Sequence, residues 1–132
     1  LFHRHKQRFT ENQPDTIQDF LSPEPAITPC LAYECRVSNS QTGKIIGVSF
    51  VDIGDEALSS VYAMFDPHEE YRSLGIFTLL CEIDYAKQLG KEYLYLGYAY
   101  DVPSFYDYKK HFAAVEYYNW RGEWLTLPLT EL

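Results

Sequence analysis

LSSVYAMFDPHEEYRSLGIFTLLCEIDYAKQLGKEYLYLGYAYDVPSFYDYKKHF, residues 58–112, decides the fold. An alternating apolar run, 58–65, ends at Asp66-Pro67. Asp66, Pro67 and Glu69 together match a helix start: an acid at the N-cap, proline at the first position and Glu three residues past the cap. Ile76, Leu79, Leu80, Ile83 and Ala86 then recur at helical spacing, and Gly90 supplies a left-handed stop. Residues 92–100, EYLYLGYAY, read as a strand apolar on both faces and therefore central in its sheet. Residues 103–112 read as a second helix carrying Tyr108-Lys109.

Working outward, residues 30–37, 45–53 and 58–65 read as three strands. Short polar turns, SNSQTGK and GDEA, join them into an antiparallel meander. Upstream, residues 1–10 and 15–21 look helical, and the three prolines of 22–29 make an extended connector. Downstream, VEYYN and EWLTL close as a hairpin around Trp120-Arg121-Gly122. The sum is one mixed α/β (α+β) domain over 1–132, with a helix crossover joining 58–65 to 92–100 in parallel. Parallel strands that splay at their ends leave a cleft at the strand C-termini, where α/β ligands bind.

Charge narrows the function classes. Residues 1–10 carry Arg4, Lys6 and Arg8 and no acid, a net +3 that suits a solvated helix end or a partner-binding arm. The other 122 residues hold 8 basic and 19 acidic side chains, a net −11. Nucleic-acid affinity comes largely from neutralising phosphates, so any RNA contact made by this body is expected to be small. No run approaches a membrane span and LFHRHKQRF has no signal-peptide core, so a cytoplasmic chain without membrane contact is expected. Cys30, Cys35 and Cys81 form no Cys-x-x-Cys and the four His are scattered; buried thiols, with no metal and no cofactor, are the expectation.

Three clusters can carry chemistry. Arg72-Ser73-Leu74-Gly75 falls where a strand hands over to a helix N-terminus, whose first N–H groups point outward with partial positive charge. Arg72 adds a charged fork there and Gly75 permits close approach; the bland alternative is a surface Arg beside a helix-start Gly. Eight of the twelve Tyr lie between positions 93 and 118. Tyr93 and Tyr95 suit packing, whereas Tyr98 follows Gly97 at the strand end, a place for a bulge or a ligand. Tyr108 and Lys109 offer a phenol and an ammonium that can polarise an ester or amide carbonyl, or else face solvent on an amphipathic helix. No nucleophile set accompanies them: Ser104 has no evident partner, and Asp107 and Glu116 lack the spacing of a carboxylate pair.

The N-acetyltransferase (GNAT) superfamily uses Arg/Gln-x-x-Gly-x-Gly/Ala at such a turn to hold the coenzyme A pyrophosphate. This chain has Arg72 and Gly75 but Phe77 in the last slot, where a phenyl ring crowds a pyrophosphate. More specifically, FDPHEEYRSLGIFTLLCEIDYAKQLGKEYLYLGY and YDYKKHF resemble the C-terminal domain of aminoacyl-tRNA–protein transferases, the arginyl and bacterial leucyl enzymes of the N-degron pathway. The resemblance implies a GNAT-like fold that takes the aminoacyl 3′ end of a charged tRNA and passes the amino acid to a protein N-terminus. It implies Arg72, Ser73, Leu74, Gly75 and Tyr98 in the donor pocket, Tyr108 and Lys109 on the ester, and a Cys-rich region upstream of Leu1. Pro103 and Phe105 stand about where the family has a Cys and a Lys-Met pair, so little transfer is expected from these residues alone. An acyl-CoA-dependent N-acetyltransferase and a non-catalytic domain binding a protein terminus remain the alternatives.

Overall fold

The computed structural model describes residues 1–128 in two compact units, Leu1–Gly97 and Tyr98 onward. The first is built on a four-stranded sheet of order β1-β2-β3-β4, with β1 Leu31–Ser38, β2 Ile45–Ile53, β3 Ala57–Phe65 and β4 Tyr93–Tyr95. β1–β2 and β2–β3 are antiparallel and β3–β4 parallel, as the meander and crossover readings expect. The β1–β2 turn is set by Asn39, whose Oδ1 accepts the N–H groups of Gln41 at 2.9 Å and Thr42 at 3.2 Å, while Gly43 takes φ 70°.

Helix α2, Leu74–Gln88, packs on this sheet, and Val51, Leu58 and Ala86 are the buried centre of the contact. The buried face of α2 is Leu74, Thr78, Leu79, Glu82 and Ala86, so Ile76 and Leu80, expected inside, are exposed. The i, i+4 row at 74, 78, 82 and 86 faces the sheet. Thr78 satisfies its hydroxyl locally, by donating to Gly75 O at 3.1 Å.

Helix entry also differs from the continuous helix that the spacing predicts. Asp66 does cap, accepting His68 N–H at 3.2 Å, but the segment it opens is a 3-10 turn, Pro67–Arg72. Ser73 then turns left-handed, φ 50° and ψ 45°, and α2 starts afresh behind it. Gly90, φ 67°, follows the end of α2 in the left-handed region, as expected.

β4 is shorter than its sequence suggests. Pairing with β3 runs from Ala57↔Tyr93 to Ser59↔Tyr95 and stops there, and among the described residues β4 is an edge strand rather than a central one. Leu94 is half-buried, whereas Tyr93 and Tyr95 are 48% and 46% exposed. Apolar character on both faces here reflects tyrosine, which tolerates a wet surface, and Gly97 at φ 77° bends the chain soon after the ladder ends.

The basic N-terminal segment is partly docked: Arg4 stays exposed while His5 is buried. Helix α1, Phe2–Lys6, buries His5, whose Nδ1 accepts Phe65 N–H at 3.1 Å, and Arg8 lies over the Phe65 ring at 4.3 Å. The helix read at 15–21 reduces to a 3-10 turn, Ile17–Asp19, with Thr16 and Asp19 capping each other.

The second unit holds a 3-10 turn, Asp107–His111, in place of the helix expected at 103–112. A hairpin follows, β5 Glu116–Tyr118 with β6 Trp124–Thr126, paired in register around the anticipated turn.

Candidate functional site

In the first unit, the start of α2 and the β1–β2 turn form the walls of a cleft of about 360 Å³. Val37, Ile46, Leu74 and Phe77 make its apolar side; Ser38, Asn39, Ser40, Gln41 and Arg72 make its polar side. Of the sequence-predicted residues, Arg72 and Leu74 line it. Ser73 is the left-handed hinge, and Gly75 sits in the first turn of α2. Ile76 and Phe77 N–H both bond to Ser73 O at 3.0 Å, whereas the N–H groups of Leu74 and Gly75 precede the helix's internal ladder. An anion or a carbonyl oxygen in this cleft therefore meets one guanidinium and an apolar wall, next to the start of α2.

Arg72 is held ready. Its Nε donates to Glu69 Oε2 at 2.6 Å and its guanidinium lies 5.0 Å from the Tyr71 ring centroid. The ion pair lowers the Glu69 carboxyl below its usual range and raises Arg72 above its own. Phe77 lines the same cleft as Arg72, where the sequence comparison with acetyltransferases wants a small residue.

The two walls share an anchor that the sequence did not disclose. Asp66, fully buried, receives Lys44 Nζ at 2.8 Å and Arg4 Nη1 at 3.0 Å on Oδ2. Hydrogen bonding from Lys44, with Arg4 and His68 N–H in support, holds its carboxyl below the usual range. Lys44 closes the β1–β2 turn and Asp66 opens the segment leading to Arg72, so the carboxylate fixes both sides of the cleft. The helix-cap pattern identified Asp66, but nothing local in the sequence pointed to Lys44 or Arg4.

In the second unit, Lys109 Nζ donates to Tyr98 O at 3.4 Å and lies 5.1 Å from the Tyr106 ring centroid. The structure thus brings Lys109 and Tyr98 together; Tyr108 and Lys109 are both half-buried. Ser104 does have a partner, contrary to expectation. Its N–H and Oγ donate to Asp107 at 2.9 Å and 3.1 Å, and Lys110 Nζ sits 2.9 Å from the same carboxylate. Lys110 first, then Ser104, lower the Asp107 carboxyl to about 2. This network folds the turn that carries Lys109.

Residues 1–119 match the family described as arginine-tRNA-protein transferase, C terminus. Among similar proteins, an aspartate/glutamate leucyltransferase of Stenotrophomonas maltophilia is 31% identical over 122 residues, covering 92% of this chain and 49% of that protein. Proteins of the same name from Acinetobacter baumannii and Nitrobacter winogradskyi are each 44% identical, over 73 and 77 residues. Those alignments cover 55% and 58% of this chain and 27% and 30% of the relatives. The chain spans about half the length, or less, of these relatives.

Proposed function

The chain belongs to the arginine-tRNA-protein transferase C-terminal family, and from that premise we propose that it handles the aminoacyl 3′ end of a charged tRNA during transfer to a protein N-terminus. The observation that carries the reading is the span of the family match, which includes both Arg72–Gly75 and Tyr108-Lys109. In the reaction, the acceptor's neutral amine attacks the ester carbonyl carbon, the bond to the ribose oxygen breaks, and that oxygen leaves with a proton. An aminoacyl ester is already activated, so orientation and polarisation of its carbonyl are sufficient, without a covalent enzyme intermediate.

Residue roles follow unit by unit. In the first, Arg72 and the helix-start amides of Leu74 and Gly75, turned by Ser73, hold donor oxygens, and the apolar wall favours an uncharged side chain. In the second, Lys109 and Tyr108 polarise the ester and supply the proton to the departing ribose oxygen, while Tyr98 contacts the donor end. The relatives are named aspartate/glutamate leucyltransferases, so leucine is the first donor to try and a protein beginning with Asp or Glu the first acceptor. A cytoplasmic role in N-degron protein turnover and a Cys-rich domain upstream of Leu1 belong to the same proposal. No helix among the described residues is long and apolar enough to cross a membrane. An acyl-CoA donor is the second reading, and Phe77 in the cleft weighs against it.

The test is transfer of labelled leucine from charged tRNA to a peptide with a free N-terminal Asp. The longest product containing this chain should transfer, and Lys109→Ala should remove most of the activity; the 132 residues alone should transfer little. Undiminished transfer by the Lys109→Ala protein would contradict the assignment.

A further inference from the structure

The second unit carries its aromatic rings outside. Tyr98 is 77% exposed and Trp120 74%, and their rings lie nearly parallel, 15° apart with centroids at 6.2 Å. Tyr118 supports the pair edge-on, 5.5 Å from Trp120. Trp120 is held there at a cost: it occupies the left-handed region at φ 60°, unfavourable for a bulky side chain. Asn119 secures that turn, its Oδ1 accepting Arg121 N–H at 2.8 Å and Glu123 N–H at 3.2 Å. The Lys109 ammonium donates to the Tyr98 backbone carbonyl at 3.4 Å and lies over the Tyr106 ring, which places a cation beside the backbone that carries Tyr98.

Exposed, co-oriented rings beside a cation are the elements with which proteins hold single-stranded nucleic acid, each base stacking on a ring and the backbone passing a positive group. The charge balance selects which part of an RNA fits. From Tyr98 onward there are three Lys and Arg against five Asp and Glu, too few cations to follow a duplex backbone. A short unpaired end needs little phosphate neutralisation and presents bare base faces. We propose that Tyr98 and Trp120 form a stacking platform for the unpaired 3′-terminal bases of the donor tRNA, with Lys109 at the terminal ribose. This deepens the transferase reading and rests on it. Trp120 lies just beyond the residues of the family match, so the platform is read from this chain's own structure.

The experiment titrates the chain, in a Trp124→Phe background that leaves Trp120 as its sole indole, with three probes. These are an RNA tetranucleotide ending in CCA, a blunt RNA duplex and a peptide with a free N-terminus. The tetranucleotide should quench Trp120 fluorescence and bind more tightly than the duplex. Measured by calorimetry, Trp120→Ala and Tyr98→Leu should each weaken it about tenfold, with Trp120→Phe retaining most affinity. Raising salt from ~50 to ~200 mM should change Kd by less than about threefold, against several decades for a backbone-following protein. Affinity unchanged in both Trp120→Ala and Tyr98→Leu, preference for the duplex, or binding of the peptide alone would overturn the platform. A 3′-aminoacyl-adenosine run in parallel separates the failures: if it binds and the tetranucleotide gains nothing over it, the platform falls and the transferase reading stands.

Discussion

From Leu1 to Gly97 the decisive polar groups are buried and join segments far apart in sequence, whereas from Tyr98 onward they are local and the large rings face outward. Asp66 draws in Lys44 and Arg4, and His5 bonds Phe65 across 60 positions. In the second unit, Ser104, Asp107 and Lys110 bond within one turn and Asn119 closes on Glu123. A region built by long-range contacts gains its order from the whole unit and loses it as a whole. One built by short-range bonds keeps its turns but spends little surface on a core, leaving rings exposed. The contrast teaches where long-range order resides.

The largest effect should come from Asp66→Ala. Removing a buried carboxylate that two cations and a backbone N–H share should cost about 3 kcal/mol, the upper end for hydrogen bonds to a charged group, since Lys44 and Arg4 are half exposed and rehydrate. Urea denaturation followed by far-UV circular dichroism measures it. Both tryptophans, Trp120 and Trp124, lie in the second unit, so their fluorescence reports that unit separately. A large shift in dichroism with a smaller one in fluorescence would sharpen the comparison; identical shifts in both probes would break it and make the chain one cooperative block.

Acid should part the two regions next. Burial, then the Arg8 charge, push the His5 imidazole down to about 4 from its ordinary 6.5. The unfolded chain therefore binds a proton between pH 6.5 and 4 that the folded chain does not. Stability falls as pH drops through that window, by about 2 to 3 kcal/mol, and levels off below 4. Asp107 acts in the same direction but over a lower window: its carboxyl is lowered to about 2, so its contribution is intact above pH 3.8 and fades only as pH falls toward 2. Denaturation at pH 7 and pH 4.5, for the wild type and His5→Asn, checks this. The variant should lose most of the difference, and an unchanged pH dependence would remove His5 from the account.

Much of this was legible in the residues, for reasons that can be named. The meander was readable because alternation and polar turns are local signals, and β2 has the bounds that its pattern suggests. The start of α2 beside Arg72 was readable because Arg72 and Gly75 flank a strand-to-helix turn. Ser73 was not, since nothing in its identity demands a left-handed conformation. β4 was over-read because eight clustered tyrosines look like core when many of them are surface. The burial of His5 and the partners of Asp66 were invisible because they depend on residues tens of positions away.

The smallest expected effect, and the most direct measurement, is calorimetry of the chain with a 3′-leucyl-adenosine mimic and with acetyl-CoA, for the wild type and Arg72→Ala. The account predicts that the mimic binds and acetyl-CoA does not bind tightly. It also predicts that Arg72→Ala weakens the mimic by about 1.5 kcal/mol, the lower end for a charged hydrogen bond because Arg72 is half exposed, with little change in thermal stability. Tight binding of acetyl-CoA alone, with no binding of the mimic, would contradict the aminoacyl-donor assignment.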